Sequence, residues 1–193
     1  MGSQDYTAID LIKYAALFGL FYLVFQIVPS RWAEILTAWS STLLLNLLGS
    51  NSLYGVNDIG VYMTLDGGAR SVLVYIIREC SAIHVLGVIF GLVVPLKAVN
   101  ASRKLVACIL GASAVYVMNI IRISITLFLS ANDVPPLSWF ISNPTVETYH
   151  YPISFIFGVL GIIITILLMD RFSVPELGNF LASIPDSVKE LIR

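Results

Sequence analysis

The sequence predicts an all-α polytopic membrane protein with about five transmembrane helices and a small β-hairpin on the outer face. Three observations predict it. Of the residues, 58% are hydrophobic and only 12% charged, about half the share of a soluble domain, so most of the surface faces something other than water. Mean hydropathy is +0.87, and the apolar residues gather in five long runs, where roughly 20 suffice to cross a bilayer. Between the second and third runs, β-forming residues flank a tight-turn signal. The formal net charge of −1 excludes a nucleic-acid partner, which selects strongly basic faces. The expected layout is one transmembrane domain over 1–170 and a short tail over 171–193.

The first run, Ile9 to Val28, ends at Pro29. It contains Lys13 and is not followed by a cleavage-site pattern, so it reads as a retained helix. The second, Ala33 to Gly49, carries Ser40, Ser41, Thr42 and Asn46, the composition of a helix that packs against other helices. The outer loop follows. In it Val61, Met63 and Leu65 alternate on one face, Asp66-Gly67-Gly68 marks a turn, and 71–77 are rich in β-formers. This predicts a hairpin over about 58–78; a helix from Val72 is the competing reading. Cys80 to Leu96, Leu105 to Leu129 and Tyr149 to Met169 are the third, fourth and fifth runs. In the tail, Leu177, Phe180, Leu181, Ile184, Val188 and Leu191 recur at near-helical spacing, broken by Pro185, which predicts short amphipathic turns at the inner interface.

Charge sets the orientation. If the runs alternate, Arg31, Lys97, Arg103, Lys104, Arg171, Lys189 and Arg193 all fall on one side, which the positive-inside rule makes cytoplasmic. The N-terminus is then outside and the C-terminus inside, with Arg70 and Arg78 counting against the rule. Asn100-Ala101-Ser102, the one glycosylation pattern, falls inside.

Arg122 lies within the fourth run, and an ionised side chain there needs a partner or a wet cavity. It sits about seven residues, or roughly 10 Å, from the outer end, with Asn119 on the same face. Cys80 falls where the hairpin meets the third run; a helix N-terminus there would favour its thiolate. Cys108 lies near the inner end of the fourth run, on the other side of the bilayer, too far for a disulfide. His150 opens the fifth run and His84 follows Cys80 by one turn, so either could serve as its base. Two histidines lacking a third ligand make a poor zinc site. Cys80, Arg122 and His150 thus converge on the outer part of the membrane from three helices. A thiol, an acid/base and a cation are the parts that acyl transfer needs.

At these residues the chain resembles the exosortase/archaeosortase family of membrane transpeptidases, and is closer to the archaeal branch. Arg78-Glu79-Cys80-Ser81-Ala82-Ile83 resembles the family's cysteine motif, although the family often has Gly where this chain has Ala82. Asn119-Ile120-Ile121-Arg122 resembles its Asn-x-x-Arg motif. His150 matches its third catalytic position, histidine or arginine. The resemblance implies a minimal catalytic core in the cell membrane, with its active site facing out and Cys80, Arg122 and His150 catalytic. Asn119, Glu79 and His84 would support the site or bind substrate. It implies exported protein substrates with a C-terminal signature, a transmembrane helix and a basic cluster, cleaved through a Cys80 thioester. The acyl group would pass to a lipid or other acceptor, and no cofactor or metal is implied. The alternative from another class is a non-catalytic membrane assembly factor or small transporter, with Arg122 as a structural or ligand-binding charge.

Overall fold

A computed structural model describes residues 8–184 apart from 98, 136, 142, 143, 179 and 183. The chain folds as two compact units. One comprises Pro29–Ile83 and Val115–Ile162; the other comprises Met1–Val28, His84–Ala114 and Ile163–Arg193.

The first of these units begins after the first helix. Helix α1, Ala8–Ile27, belongs to the other unit and stops before Pro29, because the residue preceding proline is pushed out of the helical region. Helix α2, Arg31–Leu47, follows and buries Ala33, Glu34, Thr37, Ala38, Ser41, Thr42 and Leu45. That stripe recurs every three to four residues, as a one-sided helix requires. Its polar members meet the helix α4, Ala101–Ala131. Ser40 Oγ lies 2.6 Å from Tyr116 OH, and Ser124 Oγ donates to the Ser41 carbonyl at 3.5 Å. The helix-packing role expected of Ser40 and Ser41 is therefore met. Asn46 acts differently: its side-chain amide brackets Ser52, donating to the carbonyl at 3.0 Å and accepting from the N–H at 2.8 Å.

That bracket starts a strand the sequence reading did not anticipate. The outer element is a three-stranded antiparallel sheet in the order β1 (Asn51–Val56), β2 (Val61–Asp66), β3 (Val72–Ile76). The hairpin expected over about 58–78 is β2–β3, and the helix considered from Val72 does not form. Val61, Met63 and Leu65 all point into the core, as their alternation indicated. There they meet Val72 and Ile76 of β3, Ala38 and Leu45 of α2, and Ile123, Leu127 and Ala131 of α4. The turn after β2 packs tightly on the end of α4: a Cβ on Gly68 would lie 2.6 Å from the Ala131 carbonyl oxygen, so only glycine fits. Next to it, Arg70 Nε donates to the Ser130 carbonyl at 2.8 Å, its backbone N–H to Ala131 at 3.1 Å, and its guanidinium pairs with Asp133 at 3.0 Å. A cation on the last carbonyls of a helix satisfies orphan acceptors and opposes the helix dipole.

After β3 the chain makes a single 3₁₀ turn, Arg78–Ser81, and breaks at Ala82, whose φ of 57° is left-handed. Helix α3 then runs only from Ile83 to Val93. Two expectations change here. Cys80 does not open a long third helix, and Cys80 and His84 do not share a helix face, because the left-handed residue between them ends one helical path and starts another.

A one-turn helix α5, Leu137–Phe140, also belongs to the first unit. The second unit contains α1, α3, the first half of α4 and the end of helix α6, Val146–Phe172. α1 is apolar all round, yet Ile12, Leu20 and Leu23 are more than half exposed, the pattern of a lipid-facing span. Gly87 and Gly91 of α3 lie against it. Added Cβ atoms would meet Phe25 at 3.0 Å and Phe18 at 2.7 Å, the close approach that small residues allow between membrane helices. Tyr14 OH donates to the Leu92 carbonyl at 2.7 Å, and Lys97 pairs with Asp10. In the tail, Leu177 and Phe180 are buried. Arg103 clamps Glu176 through two 2.8 Å bonds and donates to the Ser173 carbonyl. Burial opposes the Glu176 charge, but the Arg103 hydrogen bonds and charge outweigh it and hold the carboxyl below its ordinary pKa. Pro185, Val188 and Leu191 lie outside the described residues.

Among the described residues, three helices are long and apolar enough to cross a membrane: Ile9–Ile27, Ala101–Ala131 and Val146–Phe172. Of the expected five, the other two runs form shorter helices: α2 has 17 residues, a largely polar buried face and little net apolarity, while α3 has 11 and is about 16 Å long. Counting apolar residues from Cys80 to Leu96 ran a turn, a left-handed break and a loop together as one helix.

Candidate active site

Every residue of the site lies in one unit. The 3₁₀ turn after β3 places Cys80, a free and half-buried cysteine, beside the second half of α4. The turn is closed by the Cys80 N–H donating to the Ile77 carbonyl at 2.9 Å and by Ser81 Oγ donating to the Arg78 carbonyl at 2.7 Å. It is fixed from α4 as well: Asn119, 7% exposed, donates its side-chain amide to the Cys80 carbonyl at 2.7 Å. A buried amide with so short a bond anchors the cysteine's main chain directly.

Arg122 stands one turn further along α4, on the same face as Asn119. Its guanidinium lies beside Cys80, close enough for the two side chains to couple. Nη1 donates to Ser154 Oγ at 3.3 Å. Nε and Nη2 are buried and make no well-aligned hydrogen bond among the described residues. A buried N–H without an acceptor costs on the order of 1–3 kcal/mol, so these two donors retain capacity for an acceptor.

His150 comes from the second turn of α6, which begins at Val146, three residues before the expected start. Ser154 Oγ lies 3.5 Å from His150 Nδ1 and 3.4 Å from Nε2, long contacts that put the hydroxyl between imidazole and guanidinium. Glu147, one turn before His150, is charge-coupled to it. Cys80 and His150 line the same groove of about 400 Å³, with 73–77 of the β3 segment on one side and Thr126, Leu127, Val146 and Glu147 on the other.

Cys80, Arg122 and His150, the three residues singled out from the sequence, are thus in one place, with Asn119 holding the first of them. Glu79 is exposed on the turn and is not among the groove-lining side chains. His84 lies in the other unit, on α3, with Nδ1 buried and unbonded among the described residues. Cys108 is buried there too. Two neighbours escaped the sequence reading. Ser154 sits within an apolar run, where a serine one turn after a histidine reads as helix packing; the i,i+4 spacing was the one signal available. Glu147 was read as an outer-loop charge because the helix was started too late.

The arrangement brings together a thiol and an imidazole that line one groove and a guanidinium that couples to the thiol's side chain. A family model described as transmembrane exosortase matches residues 5–143 of the chain. That match includes Cys80, Asn119 and Arg122 and ends before His150. No curated protein and no solved structure matches.

Proposed function

The chain belongs to the transmembrane exosortase family of membrane transpeptidases, and on that premise we propose that it cleaves the C-terminal sorting tail of exported proteins through a thioester on Cys80. The observation that carries the reading is the placement of Arg122. It is coupled to Cys80 on one side and bonded through Ser154 towards His150 on the other, with Nε and Nη2 still to be matched.

In this mechanism His150 takes the Cys80 thiol proton, and the thiolate attacks the scissile carbonyl. Negative charge develops on the carbonyl oxygen as the carbon becomes tetrahedral. The two unmatched Arg122 donors stabilise it from a fixed, largely buried position, where such preorganised donors have the greatest effect. Collapse breaks the C–N bond, His150 returns the proton to the leaving amine, and the acyl group remains on Cys80. An acceptor hydroxyl or amine then attacks the thioester, losing its proton to His150, and the Cys80 thiol is restored. The acceptor is a lipid in this reading, because the site lies among membrane helices. It opens on the extracytoplasmic side of the cell membrane, where an exported juxtamembrane tail presents its bond.

Tail processing by purified variants matched for expression and stability tests the reading. Cys80→Ala abolishes processing and Cys108→Ala does not. His150→Ala loses at least the roughly 10²-fold expected of a general acid/base, while His84→Ala keeps most activity. Arg122→Lys loses about 10²–10³ despite its charge, because an ammonium cannot reproduce the planar donor fork. Equal behaviour of the two cysteine variants would remove Cys80 as nucleophile. It would favour a non-catalytic protein in which Arg122 is a structural or ligand-binding charge.

A further inference from the structure

The groove has a wall that the mechanism does not use. In the order β1-β2-β3, strand β3 is an edge: its residues pair with β2 on one side. Among the described residues, none of its main-chain groups bonds to a backbone partner on the other. An edge strand presents a row of open N–H and C=O groups. The groove shows which way that row faces. A strand seen on its face contributes every second residue, since side chains alternate across the sheet. Here Leu73, Val74, Tyr75, Ile76 and Ile77 all line the cavity in sequence, so the cavity runs along the edge of the strand. The opposite wall is mainly apolar, from Ile123, Leu127 and Val146, and offers the edge no strand of its own. The edge also leads directly to the nucleophile, because Ile77 is the residue whose carbonyl receives the Cys80 N–H at 2.9 Å.

We infer that β3 is a docking edge for the substrate polypeptide: an extended segment next to the scissile bond pairs with it as a fourth strand and delivers its carbonyl to Cys80. The inference rests on the transpeptidase reading for the identity of the bond and adds how the substrate is held. The occupant follows from the open groups. They need donors and acceptors alternating at strand pitch, and a polypeptide main chain supplies these, whereas an acyl chain leaves them buried and unmatched. From Leu73 to Ile77 the edge measures about 13 Å at roughly 3.3 Å per residue, enough for about four substrate residues. Main-chain pairing would fix register and depth. Alternate substrate side chains would then point towards Ile123 and Leu127 or away from them, so apolar preference at every second position is the specificity such a site imposes.

The test places a photo-crosslinking benzoyl-phenylalanine at Leu73, Tyr75 or Ile77 of the full-length Cys80→Ala protein, one position at a time, in the cells that supply its substrates. Leu53 on the opposite edge of the sheet serves as control. Crosslinked products are mapped by mass spectrometry, and the bond cleaved by the wild-type protein is mapped in parallel. The expected result is adducts from the three β3 positions that step by two residues along one segment next to the cleaved bond, with none from Leu53. Lipid adducts, polypeptide adducts without a step, or equal labelling at Leu53 would overturn the docking edge even if Cys80 cleaves normally. Stepped adducts on a segment that the wild-type protein never cuts would keep the docking edge and overturn the transpeptidase chemistry instead.

Discussion

Ala82 decides how Cys80 is presented. Its φ of 57° is a conformation that costs an L-residue roughly 1–2 kcal/mol and glycine almost nothing. This gives a physical reason for the glycine that the exosortase pattern often has at this position. The left-handed residue ends the 3₁₀ turn two residues after the cysteine, so the thiol stands on a tight turn clear of the α3 helix. Ala82→Gly is therefore expected to leave tail processing intact and raise stability by up to about 1 kcal/mol. Ala82→Val, β-branched at positive φ, should lower it by more. Thermal unfolding in detergent checks both, and a valine variant as stable as the parent would mean that the turn is not held as described. At this scale the sequence was most legible. Cysteine, arginine and histidine are rare in apolar runs, so their convergence stood out. Ser154 and Glu147 did not: a serine inside an apolar run reads as helix packing, and Glu147 falls within a helix only once α6 is started at Val146.

At the scale of elements, the sheet is pinned to α4 by Gly68 and Arg70, and that attachment sets the position of β3, the strand that leads into the Cys80 turn. The Arg70 bonds to Ser130 and Asp133 join the β2–β3 turn to the end of the helix that carries Asn119 and Arg122. Removing them with Arg70→Ala should cost about 1–3 kcal/mol. It should also speed amide hydrogen exchange in β2 and β3 more than in α1; uniform exchange across the protein would show that the turn is held by other contacts. The β2–β3 hairpin was readable because Val61, Met63 and Leu65 alternate beside a glycine turn. Strand β1 was not. Asn51, Ser52 and Gly55 are weak strand formers, and the strand exists because Asn46 brackets Ser52 and Ser52 Oγ donates to the Thr64 carbonyl at 2.8 Å. Those partners are distant in register and invisible to local propensity.

For the whole molecule, three helices are long and apolar enough to span, among the described residues, and sidedness is argued from the charges at their ends. The sheet meets α4 at Ala131 and the groove meets α6 at Val146, so the site lies with the C-terminal end of one long apolar helix and the N-terminal end of the next. Lys97, Arg103 and Lys104 flank the other end of α4, and Arg171 the other end of α6. The positive-inside rule predicts that end in the cytoplasm, whether or not α2 and α3 cross as a pair. An engineered cysteine at Ser102 should resist an impermeant thiol reagent in intact cells and react once the membrane is opened, in a background lacking Cys80. Labelling from outside would invert the topology and with it the proposed substrate. Length and apolarity gave the membrane class, but hydropathy alone could not see that one apolar run contained a turn, a left-handed break and a short helix.

The central claim is that Cys80 carries the acyl group, and the acyl-enzyme itself is the species to look for. The protein is isolated at low pH with its native substrates, digested, and the Cys80 peptide weighed before and after neutral hydroxylamine, which cleaves thioesters. The expected result is a substrate-derived acyl adduct on Cys80 that hydroxylamine removes, absent from Cys80→Ala and retained in Cys108→Ala. Efficient tail processing with an unmodified Cys80 at every time point, or an adduct that survives hydroxylamine, would contradict it.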